Sequence, residues 1–154
     1  MVHEFEHALL SGLLGNRWKA MVVKSDHGHF EYEYTKDTEH HNATIALAPY
    51  FFPLFTITSL SAVWLLKVQP HYVAALLVGL GYGIDITLNV RDISPAQTDF
   101  SNITGGFTVG LLYTILINIT ILSLLLSWVF QGMYGIKSLL LGEVEMAMVL
   151  LDLL

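Results

Sequence analysis

Three long stretches almost free of charge constrain this chain more than anything else in it. Residues 43–66 hold no Asp, Glu, Lys or Arg over 24 positions, 71–90 hold one (Asp85), and 107–130 hold none, again over 24. A helix needs about 20 predominantly apolar residues to cross ~30 Å of hydrocarbon, so the pattern predicts three transmembrane helices. Composition points the same way. Hydrophobic residues make up 54% of the chain and charged ones 13%, against roughly 25% charged in an average soluble domain. That leaves too little polar surface to clothe a soluble globule of this size. Seven Lys and Arg against thirteen Asp and Glu offer no basic surface for phosphates, which excludes nucleic acid as a partner. The absence of Cys removes disulfides and thiolate metal sites. The expected fold is mainly α, one polytopic membrane domain over 1–154 in contact with the lipid bilayer.

The remaining segments are shorter. Residues 1–14 read as an apolar helix of roughly 20 Å, too short to cross alone. They are expected to be either half of a span whose start lies upstream of Met1, or a re-entrant or interfacial helix. The polar region 15–42 contains a β-prone run, Lys19 to Ser25, and an alternating one, Phe30-Glu31-Tyr32-Glu33-Tyr34. With Asp26-His27-Gly28-His29 as turn residues, it predicts a β-hairpin at the membrane surface. The loop 91–106 is rich in turn formers and helix caps, and the tail 131–154 reads as an interfacial helix. Arg17, Lys19, Lys24, Lys36 and Arg91 fall on one side of the spans and only Lys67 and Lys137 on the other. The positive-inside rule therefore puts the hairpin in the cytoplasm.

The chemistry concentrates in the opening helix, His3-Glu4-Phe5-Glu6-His7, which satisfies H-E-x-x-H and also the reversed H-x-x-E-H. Residues four apart share a helix face, so both imidazoles can reach one metal ion. Two neutral imidazoles leave room on zinc for a third ligand and a water, and a flanking glutamate can take that water's proton. Two His and two Glu among Val, Phe, Ala and Leu beside a membrane are expensive there and usually functional; the plain alternative is a surface helix whose polar face holds these four.

A third ligand has to come from elsewhere on the same side. Asp99, in Gln97-Thr98-Asp99-Phe100 before the last span, is the best candidate. Asp92 and Asp85 are rivals: Asp92 reads as a solvated loop acid, and Asp85, inside a span, as a supporting acid or an alternative ligand.

Over roughly residues 3–125 the chain resembles the site-2 protease clan of intramembrane zinc metallopeptidases, especially its compact bacterial and archaeal members. The resemblance runs through the His-Glu-Phe-Glu-His-Ala-Leu helix followed by Gly15, the short β region, the span entered at Ala48-Pro49-Tyr50, and Gln97-Thr98-Asp99 before a final helix. That last segment stands where the clan usually has Asn-Pro-x-x-Asp-Gly. The resemblance implies His3, His7 and Asp99 as zinc ligands, Glu4 as general base, and a membrane protein or peptide as substrate. It implies a multi-pass protein of a prokaryotic cytoplasmic membrane.

Other features carry smaller expectations. Asn102 or Asn118 could donate to an oxyanion, although Asn118 reads equally as interhelical packing. Glu6 is a supporting or alternative acid. The hairpin could pair with an extended substrate, and Pro49 and Pro53 could kink their span. His27, His29, His40 and His41 read mainly as solvated, and the sequons at Asn42, Asn102 and Asn118 as unglycosylated. The rival reading is a non-catalytic or truncated membrane protein that uses the same scaffold for binding or assembly.

Overall fold

The computed structural model describes residues 2–24, 28–101 and 103–152, except for the side chains at 143, 146, 147 and 149–152. The chain is mostly helical with one two-stranded antiparallel sheet. In order it forms α1 (Val2–Leu13), β1 (Arg17–Val23), β2 (Gly28–Glu33), a 3-10 turn (Glu39–His41), α2 (Asn42–Leu47), a second 3-10 turn (Ala48–Tyr50), α3 (Leu54–Leu65), α4 (His71–Asp92), α5 (Thr98–Ser101) and α6 (Gly106–Asp152). It divides into two compact units, Met1–Ile115 and Leu116–Leu154.

Two helices, His71–Asp92 and Gly106–Gly142, are long and apolar enough to cross a membrane. Among the described residues there is no third unbroken helix long and apolar enough to cross. The stretch 43–66 is broken: its two helical parts, Glu39–Tyr50 and Leu54–Leu65, meet at 77°. Pro53 lacks an N–H and disfavours helix at the residue before it, so the uncharged run cannot continue as one rod. The tail 131–154 is set off by a kink: within Gly106–Asp152 two helices meet at Gly132 (φ 61°, ψ −147°), a backbone geometry open to glycine.

The hairpin is present with shifted bounds. β1 starts two residues before Lys19, and Gly28 and His29, expected in the turn, belong to β2. The other expected turn residues, Asp26 and His27, lie outside the described residues. Lys19 is the extra residue of a bulge between the pairs Trp18–Tyr32 and Ala20–Glu31. A two-stranded ribbon is marginal alone, and this one leans on α1, where the Trp18 indole donates to the Ala8 carbonyl at 2.9 Å. Trp18, Phe30 and Tyr32 form a run of ring contacts along one face.

In the first unit the core lies where α1, α2, the Ala48–Tyr50 turn and α5 meet: Ala8, Ile45, Leu47, Ala48, Tyr50 and Phe100 are buried. α4 contributes Ala74, Val78, Gly81, Asp85 and Asn89, whose spacing of four, three, four and four makes one stripe. At Gly81 the helices close tightly, because a Cβ there would strike the Phe55 carbonyl of α3. The opposite faces of α3 and α4 expose Trp64, Leu65, Leu76, Leu80 and Ile84, more apolar surface than a water-soluble protein carries.

Asp85 explains how the broken segment holds its shape. Its side chain is 2% exposed and accepts from the Phe55 N–H at 2.9 Å, the Thr56 N–H at 2.8 Å and the Thr56 hydroxyl at 2.6 Å. With Pro53 as N-cap, Phe55 and Thr56 are the second and third helical residues, whose N–H groups have no partner within the helix. Asp85 therefore caps α3 from a neighbouring helix, and its charge also suits the positive end of the α3 dipole. It is neither an alternative metal ligand nor a supporting acid of the site. Replacing Asp85 by Ala is expected to lower stability by on the order of 3 kcal/mol, since it strands two buried donors. Thermal unfolding in detergent checks this; an Asp85→Leu variant as stable as the parent would show that the carboxylate caps nothing.

Candidate metal centre

α1 places His3 and His7 one turn apart, and α5 brings Asp99 to them from 92 residues beyond His7. Asp99 is in the first turn of α5, and the following Phe100, fully buried, anchors that turn in the core. Its ring lies 4.5 Å from that of Tyr50.

The three side chains converge on one oxygen. Asp99 Oδ2 lies 3.1 Å from His3 Nε2 and 3.6 Å from His7 Nε2, and it accepts the Tyr50 hydroxyl at 2.8 Å. Each residue offers one ligand atom, all within 4.8 Å of one another. Among the described residues this is the one group of three or more such side chains. A tetrahedral zinc with ligands at 2.0–2.2 Å sets them roughly 3.3–3.6 Å apart; the His7–Asp99 separation of 3.6 Å falls in that range and the His3–Asp99 separation of 3.1 Å just below it.

Each imidazole has an acceptor behind it. His7 Nδ1 lies 2.8 Å from the Ile45 carbonyl, which can only accept. The proton therefore belongs on Nδ1, and Nε2 is left to face Asp99. His3 Nδ1 lies 3.5 Å from Asp92 Oδ2. The His7 contact has the form of the outer hydrogen bonds that orient histidine ligands in metal sites, while the Asp92 carboxylate stands close behind His3 at ion-pair distance. Asp92, expected to be a solvated acid, is thus placed against His3, and the Arg91 guanidinium donates to it at 2.7 and 3.2 Å.

A cavity of about 220 Å³ opens beside the cluster, lined by His3, Glu4 and His7 of α1, Gly28, Phe30 and Tyr32 of β2, and residues 97–99, among others. Glu4 packs directly beneath the start of β2: a Cβ on Gly28 would fall on the Glu4 carboxyl. Glu4 thus faces the same space as the two histidines. Glu6 does not. It is 4% exposed and absent from both the cavity lining and the ligand cluster, so it is not one of the clustered ligands.

The remaining expected residues fall elsewhere. Asn102 and His27 lie outside the described residues. Asn118 stands on α6 in the second unit and is not among the residues lining the cavity. His29 reaches the cavity edge, exposed and paired with Glu31 at 2.9 Å. The rings of His40 and His41, in the Glu39–His41 turn, lie 3.8 Å apart and among the described residues gather no third ligand. Tyr50 was not singled out as a site residue. Its signal was faint: a lone aromatic hydroxyl just ahead of the Pro53 break.

Charge is strongly organised here. Burial opposes ionisation of Asp99, but the hydrogen bonds from His3, His7 and Tyr50 outweigh it and hold the carboxyl below its ordinary value. Burial also disfavours a charged His7, yet Asp99, with the Ile45 carbonyl, holds that imidazole above its ordinary value. Burial pushes Glu6 up to about 8, with the charges of Asp85 and Asp92 adding to the effect.

Comparison of the chain with protein-family models, with curated proteins and with solved structures finds no match.

These shifts set how the metal-free fold depends on pH. The raised His7 contributes stability that is complete below 6.5 and lost as pH climbs through its folded value. The raised Glu6 contributes stability that is complete below 4.5 and lost as pH climbs through about 8. The lowered Asp99 acts at the acid end, present above 3.8 and lost as pH falls through its folded value. With a chelator present, the melting temperature is expected to fall from about pH 5 to pH 9, and Glu6→Gln to flatten much of that fall. A melting temperature that rises over this interval would contradict the assignment.

Proposed function

We propose that this chain is a membrane zinc hydrolase of the site-2 protease type, cleaving peptide bonds of membrane proteins or peptides. The observation that carries the reading is the meeting of His3, His7 and Asp99 at one oxygen beside a cavity that also receives Glu4. A donor set of two imidazoles and one carboxylate suits zinc, and such a catalytic site keeps a fourth position open. His3, His7 and Asp99 would hold the metal, which when bound supplies a water of lowered pKa and a Lewis acid for the scissile carbonyl.

The chain's own residues do the rest. Ile45 fixes the His7 tautomer and Asp92 backs His3, so both rings are oriented before substrate arrives. Glu4, on the cavity wall, accepts a proton from the attacking water and passes it to the leaving amine. Gly28 leaves the space in which the Glu4 carboxylate stands. The open polar side of the cavity admits water, while the aromatic face of β2 flanks the approach of an extended chain, to which the hairpin could add a strand.

The same reading extends to placement. The two long apolar helices cross the membrane, the broken pair lies partly within it, and the hairpin with the site sits on the cytoplasmic side of a prokaryotic membrane. One observation favours the second reading, a non-catalytic scaffold: without any metal, Asp99 Oδ2 already has the Tyr50 hydroxyl and the His3 imidazole as hydrogen-bond partners.

Metal analysis and peptide cleavage on the purified chain decide between them. Glu4→Gln is expected to keep about one zinc per chain and lose about 10²- to 10⁴-fold in cleavage rate. Unchanged cleavage would remove Glu4 from the chemistry, and a folded parent chain without zinc would favour the scaffold. Gly28→Ala, by displacing the Glu4 carboxyl, is expected to lower cleavage by about 10²-fold at unchanged zinc content; full activity would show that Glu4 does not depend on that gap.

A further inference from the structure

Tyr50 is the one group touching the cluster that no part of the proposed chemistry uses. Its side chain is 0% exposed and does not line the cavity, so it cannot meet substrate. Yet its hydroxyl donates to Asp99 Oδ2 at 2.8 Å, a shorter contact than either histidine makes with that oxygen. Its ring packs on both sides of the site, edge-on to His3 with centroids 5.5 Å apart and against Phe100 at 4.5 Å. A residue that only filled the core would need neither the hydroxyl nor its aim at this oxygen; phenylalanine fills nearly the same volume.

We infer that Tyr50 is the positioning residue of the metal centre: its hydroxyl occupies one acceptor site of Asp99 Oδ2 and so turns the carboxylate toward the space between His3 and His7. The inference rests on the metal reading above and deepens it. A carboxylate has about four acceptor sites on two oxygens, and a carboxylate on a four-residue helix is free to rotate about χ2. With the Tyr50 O–H in place, that rotation is limited and the ligand oxygen stays toward the imidazoles. Tyr50 is itself held firmly. It ends the Ala48–Tyr50 turn, immediately before the break at Pro53, and the helix beyond that break is capped by Asp85. A carboxylate on α4 thus helps fix the segment that orients a carboxylate on α5, although the two acids share no contact.

The test uses the full chain in detergent. Zinc affinity is measured by competition with a chromophoric chelator, and the coordination sphere is read from the visible bands after cobalt(II) substitution. Tyr50→Phe is expected to weaken zinc binding by about 10- to 100-fold, the usual cost of losing an outer partner, and to shift the cobalt bands. His7→Ala, which removes a ligand, should abolish binding. Equal affinity and identical bands for Tyr50→Phe, beside a parent chain that binds zinc through His7, would overturn the role of Tyr50 and leave the metal site standing. A folded parent chain that binds no zinc would overturn both. Should Tyr50→Phe fail to fold, 3-fluorotyrosine at position 50 of the otherwise unaltered chain gives a second reading: its fluorine resonance should move on zinc addition, and a resonance that stays put overturns the inference.

Discussion

A single carboxylate oxygen ties together parts of this chain that are far apart in sequence. Asp99 Oδ2 receives the Tyr50 hydroxyl and stands within 3.6 Å of both histidines of α1. A buried carboxylate with no donors would be costly enough to take up a proton or leave the interior. With these donors it stays ionised, and it holds α1, the Ala48–Tyr50 turn and α5 in one place. Such mutual dependence is what a metal site needs, because a ligand set assembled from separate elements binds tightly only if each ligand is fixed in advance.

The second constraint is the broken apolar segment, and it serves the first. Without the interruption at Phe51–Pro53, residues 43–66 would form a rod, and a rod could not deliver Tyr50 into the core while also packing against α4. Breaking a helix in an apolar setting exposes backbone groups that nothing in hydrocarbon can satisfy. Here Asp85 satisfies two of them. One charged residue in an otherwise apolar helix thus has a structural task, and a chain short of polar groups places this one where the backbone lacks a partner.

Much of this was legible in the sequence, and the limits have physical causes. The His3–His7 pair was readable because helix geometry alone puts i and i+4 on one face. The hairpin was readable from the alternation at Phe30–Tyr34, but its edges were not: the turn residues Gly28 and His29 extend β2, and a bulge at Lys19 absorbs the mismatch. The break in 43–66 was foreshadowed by Pro49 and Pro53, yet an uncharged run of 24 residues carries the same hydropathy whether it is straight or folded at 77°. Asp85 and Asp92 were both visible as acids of unusual placement and were assigned to the wrong tasks. Telling a helix cap from a ligand, or a solvated acid from one behind a histidine, requires knowing which helix lies alongside, and that is a tertiary fact. Tyr50 carried only a faint signal, since a single hydroxyl acquires its meaning from the oxygen it meets.

The central claim is that His3, His7 and Asp99 form a coordination sphere. X-ray absorption at the zinc edge of the purified, zinc-loaded chain tests it most directly. The account predicts a first shell of light atoms at about 2.0–2.1 Å with the outer scattering of two imidazoles, and loss of one imidazole contribution in His3→Ala. A shell without imidazole scattering, or a spectrum that His3→Ala leaves unchanged, would contradict it.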